Sequence, residues 1–417
     1  MNAYAAILRR PGAALFSLSA LVGRFPSSMA ALGIVLLVQD RTGSYGQAGL
    51  VSASFVLAHA ACAPVHGRLA DRWGQARVLW LSGAVFAVGI CLLLLSIELE
   101  ARAPLPHLAA ALGGLATPQT GAMVRSRWTY VLRDERDRVP TAFALEAVLD
   151  EVVFVVGPVL VTFLTLGVAP YSGLAVAGLA GTLGAWAFAA QRATDPPAQP
   201  PGPQRRVAIG WGVLGPVMLA AIGMGTMFGS MEVVVVAFAT DEGHRSWAGG
   251  ILAVWAAGSL IAGVLVGALA APADPVARLR WTTLGLTGLF APLFVVPGLI
   301  WFTAAMFLAG FMIAPTLIAA MSVVELYVHP ARLTEAMAWT ITALSAGIAL
   351  GAAVVGWVVD HAGARTGFLV PLAAAAMAAV VAWSFWPGPP TGTPGQDQRT
   401  APIPQPGVEQ RDRLGMA

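Results

Sequence analysis

Long apolar runs recur along the whole chain and carry very few charged side chains. A helix needs about 20 apolar residues to cross the ~30 Å hydrocarbon core of a bilayer, and twelve such runs can be placed between Ala13 and Trp386. Hydrophobic residues make up 57% of the chain and charged residues only 11%, whereas an ordinary soluble domain carries about 25% charged residues. The sequence therefore predicts an all-α polytopic membrane protein with twelve transmembrane helices and the lipid bilayer as a partner.

The remaining polar residues exclude several classes of protein. All 24 basic residues are arginines, but the net charge is only +3, so the basic isoelectric point does not indicate a nucleic-acid partner. The chain shows no spacing typical of a metal site, a nucleophilic serine or a phosphate-binding loop. We therefore predict neither an enzyme nor a cofactor or metal site, and we expect a proton gradient to supply the energy for transport.

A proline-rich segment divides the apolar runs into two groups of six. Five of the nine residues in Asp195–Pro203 are prolines, and proline interrupts helices because it has no backbone N–H. We predict an N-terminal six-helix bundle over residues 1–192, a cytoplasmic linker over 193–208 and a C-terminal six-helix bundle over 209–386. Residues 387–417 contain too few apolar side chains to fold and are predicted to form a disordered cytoplasmic tail.

The two groups of runs also repeat each other. Ala48–Gly67 aligns without gaps on Ala248–Gly267, and the fifth run aligns on the eleventh at a shift of 194 residues, with Gly157 matched to Gly351. Six-helix units repeated in the same orientation imply a two-fold axis along the membrane normal. We therefore expect two pseudo-symmetric six-helix bundles with a cavity between them.

The distribution of arginines predicts the orientation of the chain. If the N-terminus is cytoplasmic, 19 arginines fall on the cytoplasmic side, Arg24 lies inside the first run and four fall outside. Cytoplasmic loops of membrane proteins carry an excess of basic residues. We therefore predict a multi-pass protein of the cell membrane with both termini in the cytoplasm.

A glycine- and arginine-rich motif follows the second apolar run. It resembles the signature loop of the major facilitator superfamily, and the twelve-span layout extends this resemblance over almost the whole chain. The resemblance implies a cytoplasmic latch that helps to switch conformation, with that role on Gly67, Asp71, Arg72 and Gly74. The two glycines would permit tight turns and close helix approach, and the arginines would face the cytoplasm. The motif residues are Gly67, Arg68, Asp71, Arg72, Gly74 and Arg77.

The fifth run contains Gly157 and Pro158, which resemble the core of the antiporter signature of drug/proton exporters in the same superfamily. The glycines that flank this core in the family are missing, because Val153 precedes it and Leu160 follows it. The pair is therefore interpreted either as a remnant of the antiporter motif or as a common kink in a membrane helix.

Several ionisable residues lie within the apolar runs, where each charge costs roughly 2.5–3.5 kcal/mol. The first and fifth runs have the same direction, and the helical rise places Arg24 and Asp150 at similar depths, about 18 and 14 Å. We therefore expect Arg24 to pair with Asp150 or Glu151, which leaves another carboxylate to bind a proton or a cationic substrate. The alternative is a permanently neutralised cluster that only holds helices together. The five candidate residues are Arg24, Glu146, Asp150, Glu151 and Glu232.

Two of these candidates have further interpretations. Glu146 lies six residues after Pro140 and is a possible partner of the loop residue Arg138. Glu232 lies about 30 Å along the seventh run, which places it either in an outer vestibule or at the membrane interface.

These observations favour a secondary transporter that exports small hydrophobic or cationic molecules in exchange for protons, by alternating access and as a monomer. The alternative is a proton-coupled importer or a specific metabolite exporter of the same fold. Sugar sites use several carboxamide side chains, and the only asparagine, Asn2, lies outside the apolar runs. Sugars are therefore less favoured as substrates.

Overall fold

The computed structural model describes residues 2–198, 211–268, 274–328 and 333–384. Within these ranges the chain is helical and contains no β-strand, which confirms the predicted all-α class. The helices are α1 (Asn2–Leu8), α2 (Ala13–Arg24), α3 (Pro26–Thr42), α4 (Tyr45–Trp73), α5 (Gln75–Glu98), α6 (Leu105–Ala116), α7 (Thr120–Val131), α8 (Val139–Gly167), α9 (Ser172–Ala190), α10 (Trp211–Asp241), α11 (Ala248–Ala268), α12 (Pro275–Phe290), α13 (Leu299–Gly310), α14 (Ile313–Tyr327), α15 (Leu333–Gly367) and α16 (Leu369–Ser384).

Nine helical segments in the described ranges are long and apolar enough to cross a membrane, counting α2 with α3 and α13 with α14. The other three predicted spans correspond to shorter helices. The fourth span is divided into α6 and α7, of 12 residues each, and α12 and α16 have 16 residues each. Pro26 and Pro118 lie at the breaks in the first and fourth spans, since proline disrupts the helical hydrogen bonds before it.

Helices α2–α9 pack mainly against one another, and so do α10–α16. We call these groups the first and second halves. Two helix pairs, α4 with α15 and α8 with α11, make most of the contacts between the halves, and α10 also touches α3 and α4. The domain boundaries stay a prediction, because linker residues 199–208 and tail residues 387–417 lie outside the described residues.

One end of the interface between the halves is closed around the carboxylate of Asp360, near the end of α15. It accepts hydrogen bonds from the hydroxyl of Ser44 at 2.7 Å and from the backbone N–H groups of Tyr45 and Gly46 at 2.8 Å each. These groups belong to the N-terminus of α4, where unpaired N–H groups favour an anion. The second half therefore caps a helix of the first half.

Further contacts close the same end. Arg245 donates to Asp40 at 3.1 Å and to the backbone carbonyl of Leu36 at 3.0 Å, and the hydroxyls of Tyr45 and Thr240 are 3.3 Å apart. Among the described residues, every hydrogen bond between the halves lies at this end. We call it the sealed end. The opposite end, where α4 ends and α5 begins, is called the arginine-rich end.

Candidate substrate cavity

A cavity of about 400 Å³ lies between the two halves. Helices α3, α4 and α8 line it from the first half, and α10, α11, α14 and α15 line it from the second. Most lining side chains are apolar or aromatic, with hydroxyl groups interspersed. The lining includes no arginine, and its ionisable members are His59, Glu151 and Glu232.

Glu151 and Glu232 reach this cavity from opposite halves, Glu151 on α8 and Glu232 on α10. Both are partly exposed. Within the described part of the chain, neither carboxylate forms a hydrogen bond or a salt bridge. Glu232 therefore lies in the cavity between the halves. Its place in an outer vestibule or at the membrane interface stays a prediction.

Arg24 lies behind Glu151, at the end of α2, and is only 6% exposed. Its Nη1 donates to Asp150 Oδ1 at 2.7 Å, and its Nη2 forms a salt bridge with Glu146. The structure therefore places Arg24 against Asp150, one of the two partners that the depth estimate allows, and additionally against Glu146. Among the described residues, Glu151 is the carboxylate of this helix that has no cationic partner.

Glu146 is completely buried, and its hydrogen-bond partners among the described residues belong to the first half. The Ser17 hydroxyl and the Trp128 indole N–H each donate to its Oε1 at 2.7 Å. The possible pairing of Glu146 with Arg138 is wrong, because Arg138 lies at the chain surface and forms a salt bridge with Glu135 at 2.8 Å.

Two arginines of α7 belong to this interior, although the sequence analysis counted them among the 19 arginines of the cytoplasmic side. Arg125 Nη2 donates to Asp150 Oδ2 at 2.7 Å, so that Asp150 bridges two guanidinium groups. Arg127 is fully buried and donates to Gln75 Oε1 at 3.0 Å. Their position inside the predicted fourth run was the available signal, since an arginine within a membrane helix indicates an internal partner.

The motif residues lie at the arginine-rich end. Gly67, Arg68, Asp71 and Arg72 belong to the last turns of α4 and not to a loop, and the chain turns at Gly74 with φ +86°. The space beside Gly67 is open, so the expected close helix approach is absent there. Asp71 is exposed and has no hydrogen-bonding or ionic partner among the described residues, and Arg77 is also exposed. Asp71 therefore makes no polar contact with the described residues, and the latch role of the motif stays a prediction.

Gly157 and Pro158 lie where α8 touches helices of both halves. A Cβ at Gly157 would come within 2.0 Å of the Ser28 hydroxyl on α3, and a Cβ at Gly249 on α11 would come within 2.3 Å of the Pro158 carbonyl. Helix α8 continues through Pro158 to Gly167. Gly157 therefore permits close packing of α3 on α8, and the Pro158 carbonyl lies where α11 approaches the same continuous helix.

A profile of the Major Facilitator Superfamily matches residues 16–314 and 273–412. The fold is similar to the solved structures of three transporters. For the nucleoside transporter NupG the TM-score is 0.69 at 14% identity, over 89% of this chain and 98% of that one. For the POT family transporter PepTSo it is 0.71 at 10% identity, over 90% and 97%. For the human organic anion transporter MFSD10 it is 0.60 at 16% identity, over 89% and 98%.

At these identities, the similarity to solved structures shows the fold alone. No curated protein matches the chain. The superfamily profile spans most of the sequence, in agreement with the resemblance of the glycine- and arginine-rich motif. The chain is therefore a membrane transporter and belongs to the major facilitator superfamily.

Proposed function

We propose that this protein exports small hydrophobic or cationic molecules in exchange for protons, by alternating access. One observation carries the proposal: two carboxylates from opposite halves, Glu151 and Glu232, line an apolar cavity without a cationic partner among the described residues. A carboxylate in apolar surroundings is costly unless it binds a proton or a cation. The two ligands of an antiporter, proton and substrate, therefore have candidate sites in one cavity.

The charge of the cavity favours cations over anions. Its lining carries two carboxylates and no arginine, while Arg24 and Arg125 are engaged by Asp150 outside the lining. A substrate carboxylate or phosphate would find no opposite charge there. Hydroxyl groups and aromatic rings in the lining suit amphipathic molecules.

The proposed orientation places the arginine-rich end in the cytoplasm, following the excess of arginines in the loops at that end. The sealed end would then face the outside, and the cavity would receive substrate from the cytoplasm. A proton gradient would supply the energy. A single chain would hold the cavity, which supports a monomer.

Two of the solved structures with this fold are named as nucleoside and peptide transporters, which keeps a proton-coupled importer or a specific metabolite exporter as the second candidate. The same cavity could serve either direction. Only the direction of substrate movement relative to the proton gradient separates the two candidates.

Inside-out membrane vesicles from an efflux-deficient bacterial host test the direction. Respiration acidifies the vesicle lumen, and valinomycin with potassium removes the voltage. We expect tetraphenylphosphonium to accumulate in the lumen and to leave when nigericin collapses the pH difference. We expect Glu151→Gln to abolish this accumulation, while Glu100→Gln, at an exposed position, retains it. Proton antiport of cations would be contradicted if nigericin did not reverse the accumulation. It would also be contradicted if vesicles that hold the folded protein showed no accumulation.

A further inference from the structure

One wall of the cavity combines a carboxylate with two aromatic rings in contact. Phe228 and Glu232 lie four residues apart on α10, which places them on the same helical face. The rings of Phe228 and Trp255, the latter on α11, have centroids 5.4 Å apart and planes inclined by 52°. All three side chains line the cavity, and all belong to the second half.

The polar groups of this wall lack partners within the described part of the chain. Trp255 is only 6% exposed, and its indole N–H has no hydrogen-bond acceptor there. Glu232 likewise has no cation opposite it among the described residues. The wall therefore presents one carboxylate beside two adjacent aromatic rings.

The first half presents different surroundings. Glu151 adjoins Asp150, whose two oxygens are bound by Arg24 and Arg125. The other aromatic side chains of the lining, Phe55 and Phe154, do not form a ring pair with each other among the described residues. The two carboxylates of the cavity are therefore not equivalent.

We propose that Glu232, Phe228 and Trp255 form a subsite for an organic ammonium or phosphonium ion, and that Glu151 is left to carry the proton. Aromatic faces attract such ions, and the attraction grows when the ion is desolvated. A metal cation is a poor fit, because hard cations require six or more oxygen ligands and this wall offers one carboxylate. The inference rests on the proposed function and adds which carboxylate binds which ligand.

The test is equilibrium binding to the purified protein in nanodiscs without any gradient. The probe is labelled benzyltrimethylammonium, and the competitor is neopentylbenzene, which has the same shape without the charge. We expect saturable binding of the cation, little competition by the uncharged isostere, and loss of binding in Glu232→Gln. We expect Phe228→Leu to weaken binding roughly 5- to 30-fold. Phe307→Leu is the matched control, since Phe307 forms an aromatic pair with Phe311 away from the cavity lining.

Replacing Phe228 with mono-, di- and trifluorophenylalanine separates the π face from packing, because fluorination weakens the ring's negative face and largely keeps its size. We expect a stepwise loss of affinity for the cation. The subsite would be overturned if fluorination left the affinity for the cation unchanged, or if Phe55→Leu weakened binding as much as Phe228→Leu. Binding of the uncharged isostere as strong as that of the cation, or no saturable binding of the cation, would also overturn it. Normal cation binding without nigericin-sensitive accumulation in the vesicle assay would instead contradict the proposed antiport and leave the subsite standing.

Discussion

Glu146 and Glu151 lie five residues apart on α8 and have opposite surroundings. Glu146 is buried among Arg24, Ser17 and Trp128, whereas Glu151 faces the cavity without a partner among the described residues. A buried carboxylate that accepts from two neutral donors and pairs with a guanidinium joins the helices that supply these groups. We therefore assign a structural role to Glu146 and a role in transport to Glu151.

This assignment predicts different effects of the same substitution. Glu146→Gln would leave the buried Arg24 without one of its two carboxylates, and breaking a buried ion pair costs about 3–5 kcal/mol. Glu151→Gln removes no contact and should change stability by no more than about 0.5 kcal/mol. Thermal unfolding of the purified protein in detergent measures both. Equal melting temperatures for the two variants would contradict the structural role of Glu146.

At the level of single residues, the sequence analysis identified the charges that membrane depth makes costly but not all of their partners. Arg24 and Asp150 could be related because both lie on helices with the same direction, so that the helical rise gives comparable depths. Ser17 and Trp128 could not be predicted as ligands of Glu146, since hydroxyl and indole groups are common in membrane helices. Their convergence depends on how α2, α7 and α8 pack.

Among the helices, adjacent glycines on α11 have different environments. A Cβ at Gly249 would come within 2.3 Å of the Pro158 carbonyl and 2.5 Å of the Thr162 hydroxyl, whereas nothing lies within 4 Å of a Cβ at Gly250. Gly249 therefore permits α11 to approach α8 backbone to backbone, and this contact joins the two halves near the sealed end.

We expect Gly249→Ala to push α8 and α11 apart and to weaken the sealed end. The measurement is the rate at which a membrane-impermeant maleimide labels Ser345→Cys in the cavity, applied from the sealed side of a variant without Cys62 and Cys91. Gly250→Ala should leave this rate unchanged, because its methyl group enters open space. Similar rates in both variants would show that the contact at Gly249 does not hold the halves together.

The apolar runs indicated where the membrane helices lie but not where each helix ends. They indicated the helices because bilayer thickness sets the length of an apolar span. The same criterion ended the second run before the glycine- and arginine-rich motif, although α4 continues to Trp73. Polar residues at the end of a membrane helix can extend it into water without an apolar pattern, so the motif was interpreted as a loop.

Across the whole molecule, α4 and α15 run antiparallel and each carries an aspartate near its C-terminal end. Asp360 of α15 caps the start of α4 at the sealed end, whereas Asp71 of α4 is exposed at the arginine-rich end. Loss of the Asp360 charge would weaken the three hydrogen bonds that it accepts. A net loss of about 1 kcal/mol corresponds to a roughly fivefold shift towards opening of the sealed end.

We therefore expect Asp360→Asn to raise maleimide labelling of Ser345→Cys from the sealed side several-fold. Asp241→Asn is the control, since Asp241 is exposed at the same end of the molecule and forms no hydrogen bond among the described residues. An unchanged rate in Asp360→Asn, or an equal increase in Asp241→Asn, would show that the cap does not contribute to closure.

The latch role implied for Asp71 would stabilise the conformation in which the arginine-rich end is closed, whereas Asp360 stabilises the conformation in which the sealed end is closed. The two aspartates would then have opposite effects on the equilibrium between these conformations. Asp71→Asn would destabilise the first of these conformations and lower labelling from the sealed side, the reverse of Asp360→Asn. A ligand or substitution shifts a two-state equilibrium only through its different effect on the two states, so the double variant should label at an intermediate rate. The transport rate of the double variant should be lower than that of the unsubstituted protein, because both end states are destabilised. Labelling in the double variant equal to that of Asp360→Asn alone would show that Asp71 does not stabilise the opposite state.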